Sequence, residues 1–375
     1  MQVFQFEGGR VAESTTLPVA LSPEGFVWVT AERVEFETGL TQLQADLARL
    51  TGTQLVDLHV QDLLSRQLPS QYDYTSQYDL LVFRRLAAQG DPAAMRRGAP
   101  ASAAPLPGAL LPRIDTTPVG FVVFDRVLLS VHPAECAVRN AFIARLSGAA
   151  PPATNGSTDS PALRPAAVAR SATSPADLML RLVNLMVDGF LELRRELTQQ
   201  LDHWQAELLN PKSRAIDWST MLDVRLALHE LDQICEDQRA AVQDWTDTVE
   251  TWPDAATQPA QRERDLLLVR SRDLLEHIER VVHHVRRLEQ SAETAVQMHF
   301  SAQSNRTNDI MRVLTVLTAV FLPLNLIAGI FGMNFESIPL LHKAAGFWIA
   351  MGAMAVIAVA LVVFFWRKRY LERTR

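Results

Sequence analysis

The chain has 375 residues, of which 48% are hydrophobic, and a formal net charge of −6. That length allows two or three domains, and the acidic balance argues against nucleic acid as a partner. The two cysteines, Cys136 and Cys235, lie too far apart for a disulfide framework or a zinc-knuckle spacing, which fits a reducing compartment.

The opening segment, MQVFQFEGGR, has no basic stretch followed by an apolar one, so no secretory signal is expected. Residues 1–143 read as an α/β domain. Short β-rich runs at Gly25–Thr30, Tyr78–Phe83, Val119–Phe124 and Val127–Val131 predict strands, and Leu40–Leu50 predicts a helix. Residues 144–175 are rich in Ala, Pro, Ser and Thr and predict a flexible low-complexity segment.

From Ala176 the spacing of Leu178, Leu182, Leu185, Met186 and Phe190 turns helical. Pro211 and Pro253 divide residues 176–258 into a helical hairpin region. Between Pro259 and Pro323 runs a stretch of more than sixty residues with helix-forming composition. At 1.5 Å per residue such a helix is about 90 Å long. It predicts a stalk over 259–311 that continues into a membrane span without a break, and a helix of this length suggests a bundled oligomer.

Charged residues are absent from Val313–Phe331 and again from Ala344–Trp366. Each run approaches the ~20 residues that a helix needs to cross a bilayer. The expected parts are a first span over 312–335, a loop over 336–343, a second span over 344–366 and a basic tail over 367–375. Arg312 precedes the first span and Arg367, Lys368, Arg369, Arg373 and Arg375 follow the second. The positive-inside rule then places both termini in the cytoplasm.

Asn308, Met311, Leu314, Thr318, Leu322, Asn325, Gly329 and Gly332 follow one another at steps of three or four, which places them on one stripe of a helix. An amide in hydrocarbon needs a partner or water. The stripe therefore suits a wet axis better than lipid, but taken alone it fits somewhat better a packing face on which Asn325 bonds to the second span. Other chemistry finds little support. There is no phosphate-binding glycine loop and no nucleophile–base spacing, so no enzyme is expected. The adjacent His283 and His284 cannot share one helix face as ligands and are expected to be solvated.

The segments Ser304–Met311 and Ala328–Glu336, with Gly332-Met333-Asn334 closing the first of two C-terminal spans, resemble the CorA family of magnesium channels. The resemblance implies an α+β cytoplasmic domain, a long stalk helix and two C-terminal transmembrane helices, assembled as a pentameric funnel in a bacterial inner membrane. It implies a selectivity filter at Gly332, Met333 and Asn334. It also implies a lane lined by Asn308, Met311, Leu314, Thr318, Leu322 and Asn325. Mg²⁺ keeps its water shell tightly, and a ring of Asn334 carbonyls suits the hydrated ion. Mg²⁺ is expected both as cargo and as a regulatory ion between subunits, held by Asp273 and Asp62, with no covalent cofactor. The implied partners are further copies of the chain, membrane lipid and divalent cations. The outer loop departs from the family pattern. Many members carry Met-Pro-Glu-Leu where this chain has Ile338-Pro339-Leu340-Leu341, so Glu336 is left as the loop's acid. A Zn²⁺, Co²⁺ or Ni²⁺ transporter of the same fold is the nearest alternative, and a non-conducting membrane scaffold is a more distant one.

Overall fold

The computed structural model describes residues 1–8, 10–22, 25–87, 116–134, 136–147, 172–208, 218–253, 257–333 and 345–368. Most of the low-complexity segment, the loop over 336–343 and most of the basic tail lie outside the described residues. Contacts divide the chain into two units, Met1–Glu293 and Thr294–Arg375.

The first unit is built on a seven-stranded sheet. Its strands are β1 (Gln2–Glu7), β2 (Arg10–Ser14), β3 (Phe26–Glu32), β4 (Gln71–Tyr74), β5 (Asp79–Leu86), β6 (Thr116–Val123) and β7 (Val127–His132), in spatial order β2-β1-β3-β7-β6-β5-β4. Only the central β3–β7 pair is parallel; the other neighbours are antiparallel. Strands β6 and β7 are buried at every residue. Burial on both faces selects the unbroken apolar runs seen in the sequence rather than alternation.

Helices cover both faces. On one, α1 (Arg33–Thr51) and α2 (Asp57–Leu64) bring Phe36, Leu43, Leu47, Val60 and Leu63 against Val27, Val29, Leu80, Val82, Val122 and Leu129. Helix α1 opens on a capping box between Glu32 and Glu35 and ends at Gly52, whose φ of 80° favours glycine. Gly120, on β6, faces α2. A Cβ there would lie 2.2 Å from Leu63 Cδ2, so glycine is what lets this helix approach the sheet.

On the other face lie α3 (Ala137–Ser147) and α4 (Pro175–Leu208). Trp28 meets Phe142 of α3 edge-on at 5.7 Å and donates from Nε1 to Ser130 Oγ at 2.8 Å. Ser130 Oγ is also 2.9 Å from His132 Nε2. The serine oxygen, accepting from Trp28, can either donate its proton to that nitrogen or accept from it through its second lone pair. Complete burial holds the His132 pKa well below the ordinary imidazole value, and Arg139, Arg85 and Arg33 push it the same way.

Helices α4, α5 (Trp218–Thr251) and α6 (Gln258–Phe331) pair with one another, α4 and α5 also against the sheet. Side-chain pairing shows α4 and α6 running parallel, through Arg270–Asp177 at 2.9 Å and Thr198–His284 at 2.8 Å. Pairing between α5 and α6 is antiparallel: Trp245 reaches Ser271 at 3.2 Å and Arg286 reaches Asp232 at 3.1 Å. Asp177 is fully buried between Arg181 and Arg270 and ties the start of α4 to α6. His284 corrects the sequence expectation. It is half-buried against Thr198, and burial lowers its pKa. The i,i+4 pair Arg280–Glu276 forms at 2.7 Å, on the exposed side of α6. Both cysteines are free and buried.

Two measurements check this account. Gly120→Ala should destabilise the first unit by about 1–3 kcal/mol by forcing α2 off the sheet, read as a lower urea midpoint of the purified full chain. Because the pKa of His132 is depressed in the fold, the unfolded chain binds a proton that the native chain refuses. Stability from this residue is therefore present above the unfolded value near pH 6.5 and is lost as pH falls. The slope approaches about 1.4 kcal/mol per pH unit below pH 6, and His132→Gln should remove that component.

Candidate ion-conducting stripe

Helix α6 changes character along its length. Leu267, Leu274, Ile278, Val281, Val285, Leu288, Ala292 and Ala295 are buried at helical spacing, as expected of a helix covered on one side. Within the second unit, residues 301–315 are exposed apart from the half-buried Asp309, and Pro323 sits inside the helix. The helix continues past Pro323 although that residue has no N–H to donate to Ala319 O.

Stretches of α6 and of α7 (Gly346–Arg367) are long and apolar enough to cross a membrane, with 6% and 0% of the respective windows buried. The area lost on α6 in this unit falls mainly on Val316, Ala319, Val320, Pro323, Leu324, Ile327 and Phe331. On α7 it falls on Gly346, Ala350, Met354, Ile357, Ala358, Leu361 and Phe365. Each set recurs every three or four residues, so each helix turns one stripe toward the rest of its own unit.

The positions singled out in the sequence lie elsewhere on α6. At about 100° per residue, Asn308, Met311, Leu314, Thr318, Leu322, Asn325, Gly329 and Gly332 fall within an arc of about 120°, centred about 150° from the covered arc. All eight are exposed in the single chain. Asn325 therefore sits outside the covered stripe, which weighs against the packing-face reading. Thr318 donates its hydroxyl proton to Leu314 O at 2.8 Å.

At the end of α6, the N–H of Gly332 reaches Ala328 O at 2.9 Å, and that of Met333 reaches Ile330 O at 3.3 Å. A Cβ at Gly332 would stand 3.0 Å from Ala328 O, so a side chain would crowd the closing turn. Among the described glycines the positive φ values are at Gly8 and Gly52, so Gly332 is needed here for space. Asn334 and Glu336 lie outside the described residues.

The two acids expected to bind regulatory metal have separate surroundings. Asp62 is half-buried on α2. Burial raises its pKa, Asp73 adds to the rise and His59 opposes it. His59 is held on both sides. Tyr78 Oη accepts from Val56 N–H at 3.0 Å and lies 2.9 Å from His59 Nδ1, while Nε2 faces Asp73 at 3.1 Å. Asp273 lies on α6, with its side chain 63% exposed and 3.8 Å from His277. Its charge helps to raise the pKa of Asp188 on α4, where burial is the larger cause. Sequence reading passed over Asp188, because its proximity to α6 depends on how α4 and α6 pair. Among the described residues, no group of three or more His, Cys, Asp or Glu could hold a metal ion.

A seven-stranded α/β unit, a helix reaching from that unit into an apolar span, and a second span define a two-span membrane protein with a large extramembrane domain. The family model for CorA-like Mg²⁺ transporter proteins matches residues 24–369, and the chain belongs to that family. It is 28% identical over 195 residues to the cobalt/magnesium transport protein CorA of Thermotoga maritima, a stretch covering 52% of each chain. It is 33% identical over 104 residues to the magnesium transport protein CorA of Haemophilus influenzae, covering 28% of this chain and 33% of the relative. The alignments thus span about half or less of these relatives. The complete structure of the CorA magnesium transporter from Methanocaldococcus jannaschii superposes with a TM-score of 0.69 at 16% identity, over 97% of both chains. The full-length CmaX protein superposes at 0.57 and 18% identity, over 98% of this chain and 97% of that one. These likenesses show the fold.

The two faces of α6 should answer differently to substitution. Val316→Asn puts an amide into the covered stripe and should lower the thermal midpoint of the detergent-solubilised chain by several degrees. Met311→Ala, on the uncovered stripe, should leave it within about 2 °C.

Proposed function

We propose that the protein is one subunit of a homopentameric channel in the cell's inner membrane, with both termini cytoplasmic, that conducts Mg²⁺ passively. The observation that carries this reading is the stripe from Asn308 to Gly332, exposed in the single chain and running into Gly332-Met333-Asn334. Copies arranged with these stripes inward enclose a lane of neutral side chains. Met311, Leu314 and Leu322 supply apolar constrictions that close it by excluding water. Asn308 and Asn325 supply amide oxygens. A ring of Asn334 carbonyls at the outer mouth accepts hydrogen bonds from the waters of a hydrated ion, the form in which Mg²⁺ is least reluctant to travel. With one acid, Glu336, in the outer loop, capture depends little on long-range steering and loses little rate at high salt.

Regulation is assigned in this reading to Asp62 and Asp273. Mg²⁺ keeps most of its waters and needs only one or two carboxylates, so a pair drawn from adjacent copies suffices. With the ion gone, the paired acids repel and the closed assembly loses stability. Membrane potential then drives entry, at about 2.3 kcal/mol per charge per 100 mV.

Proteoliposomes holding the purified chain and an internal indicator test the reading. Saturable Mg²⁺ entry should be blocked by cobalt hexammine, a mimic of the hydrated ion. Asn334→Ala should cut entry at least tenfold with assembly intact, and Asp273→Lys should weaken inhibition by internal Mg²⁺. One relative's name includes cobalt, so Co²⁺ should be run in parallel. Zn²⁺ or Co²⁺ entry without Mg²⁺ entry would replace the magnesium reading with a transition-metal one, and no entry of any cation would leave a scaffold.

A further inference from the structure

We infer that Thr318 forms a hydration site midway along the lane, a ring of hydroxyl oxygens that accept hydrogen bonds from the water shell of the passing divalent cation. The inference rests on the uncovered stripe being the pore face. Leu314, Thr318 and Leu322 follow one another at steps of four residues, so the hydroxyl lies about 6 Å along the helix from each leucine. The three form one row of the exposed arc, with Leu314 at 52% and Leu322 at 64% exposure.

The direction of the hydroxyl follows from its bond. Thr318 Oγ1 donates to Leu314 O at 2.8 Å. A hydroxyl has one proton and two lone pairs, so with the proton committed to the helix the oxygen presents only acceptor capacity. The waters bound to a divalent cation are strong donors, with their hydrogens pointing outward from the metal. An acceptor-only ring matches that shell and does not match the outward lone pairs of an anion's waters. The position matters as well as the chemistry. Without Thr318, Leu314 and Leu322 would follow one another in this row with no oxygen between them, and an apolar constriction tends to dewet. One hydroxyl between two leucines supplies a foothold for water between the constrictions. The foothold is weak enough to release the ion, since a neutral hydrogen bond contributes only about 1 kcal/mol net.

The test compares Mg²⁺ flux in proteoliposomes for the full-length chain and for Thr318→Ser, Thr318→Val and Asn334→Ala. Serine keeps the acceptor and should conduct within about twofold of the parent. Valine keeps the shape without the oxygen and should fall about tenfold with assembly unchanged. A water-soluble thiol reagent should block Thr318→Cys, and the parent should resist it because Cys136 and Cys235 are buried. If Thr318→Val conducts like the parent while Asn334→Ala does not, Thr318 has no such role and the pore reading stands. If neither substitution changes the flux, the pore reading itself is lost. Should the valine variant fail to assemble, the cysteine variant decides, and resistance to the reagent overturns the inference.

Discussion

The second unit has more apolar surface than one copy of the chain can cover. Its spans carry Leu314, Leu317, Phe321, Leu326, Trp348 and Val359 more than half exposed, far beyond what a soluble monomer leaves to water. Two environments can take such surface, lipid and other copies of the chain, and α6 divides its circumference among them. One arc, around Val316 and Ile327, turns to the rest of its own unit. Another, carrying Asn325, cannot be left to hydrocarbon, where an unmet amide costs several kcal/mol. Lipid takes what remains. Further copies of the chain around a shared axis are the proposed shelter for the Asn325 arc.

The first unit meets the opposite problem, a sheet buried on both faces with charged groups drawn in. Arg33 and Arg85 are almost wholly buried beside the sheet. Burial is the largest cause lowering Arg33's pKa, to about 10, with neighbouring arginines adding. Arg84 is held by the carbonyls of Leu68 and Thr116, and Gln238 of α5 bonds in turn to the carbonyl of Arg84. Such ties fix where α5 sits on the sheet edge and, through Trp245 and Ser271, where α6 lies beside it. Rigidity here is what any coupling to the long helix requires, because a loose attachment would absorb a displacement without passing it on.

Much of this was legible in the sequence, and for identifiable reasons. Strands β3, β5, β6 and β7 were visible as apolar runs because both faces are buried. The β1–β2 hairpin was not, since Gln2, Gln5 and Glu13 interrupt its pattern and its edge is half solvated. Helix α3 escaped notice because residues 137–147 carry almost no apolar periodicity. The continuity of α6 was readable from the lack of proline between Pro259 and Pro323, and Pro323 did not end the helix. The stripe was readable as spacing, but its exposure was not, because the same spacing describes a packing seam. Pairing between helices was invisible, so His284 looked solvated and Asp188 went unremarked.

The neutrality of the stripe is itself a functional argument. No charged residue occurs from Val313 to Phe331, although a carboxylate would attract a divalent cation far more strongly than an amide. A carboxylate 4 Å from a doubly charged ion at an effective dielectric of 20 is worth about 8 kcal/mol. Held that tightly, the ion would leave about a millionfold more slowly, since each 1.4 kcal/mol is a factor of ten. Amide and hydroxyl oxygens contacting bound water contribute about 1 kcal/mol each, enough to order the water shell and too little to trap it. In the proposed reading, charge is placed instead at Asp62 and Asp273 in the first unit, where slow release would suit a regulatory site. Throughput and sensing therefore ask for opposite chemistry, and the chain meets both by keeping its acids out of the span and its neutral oxygens in it.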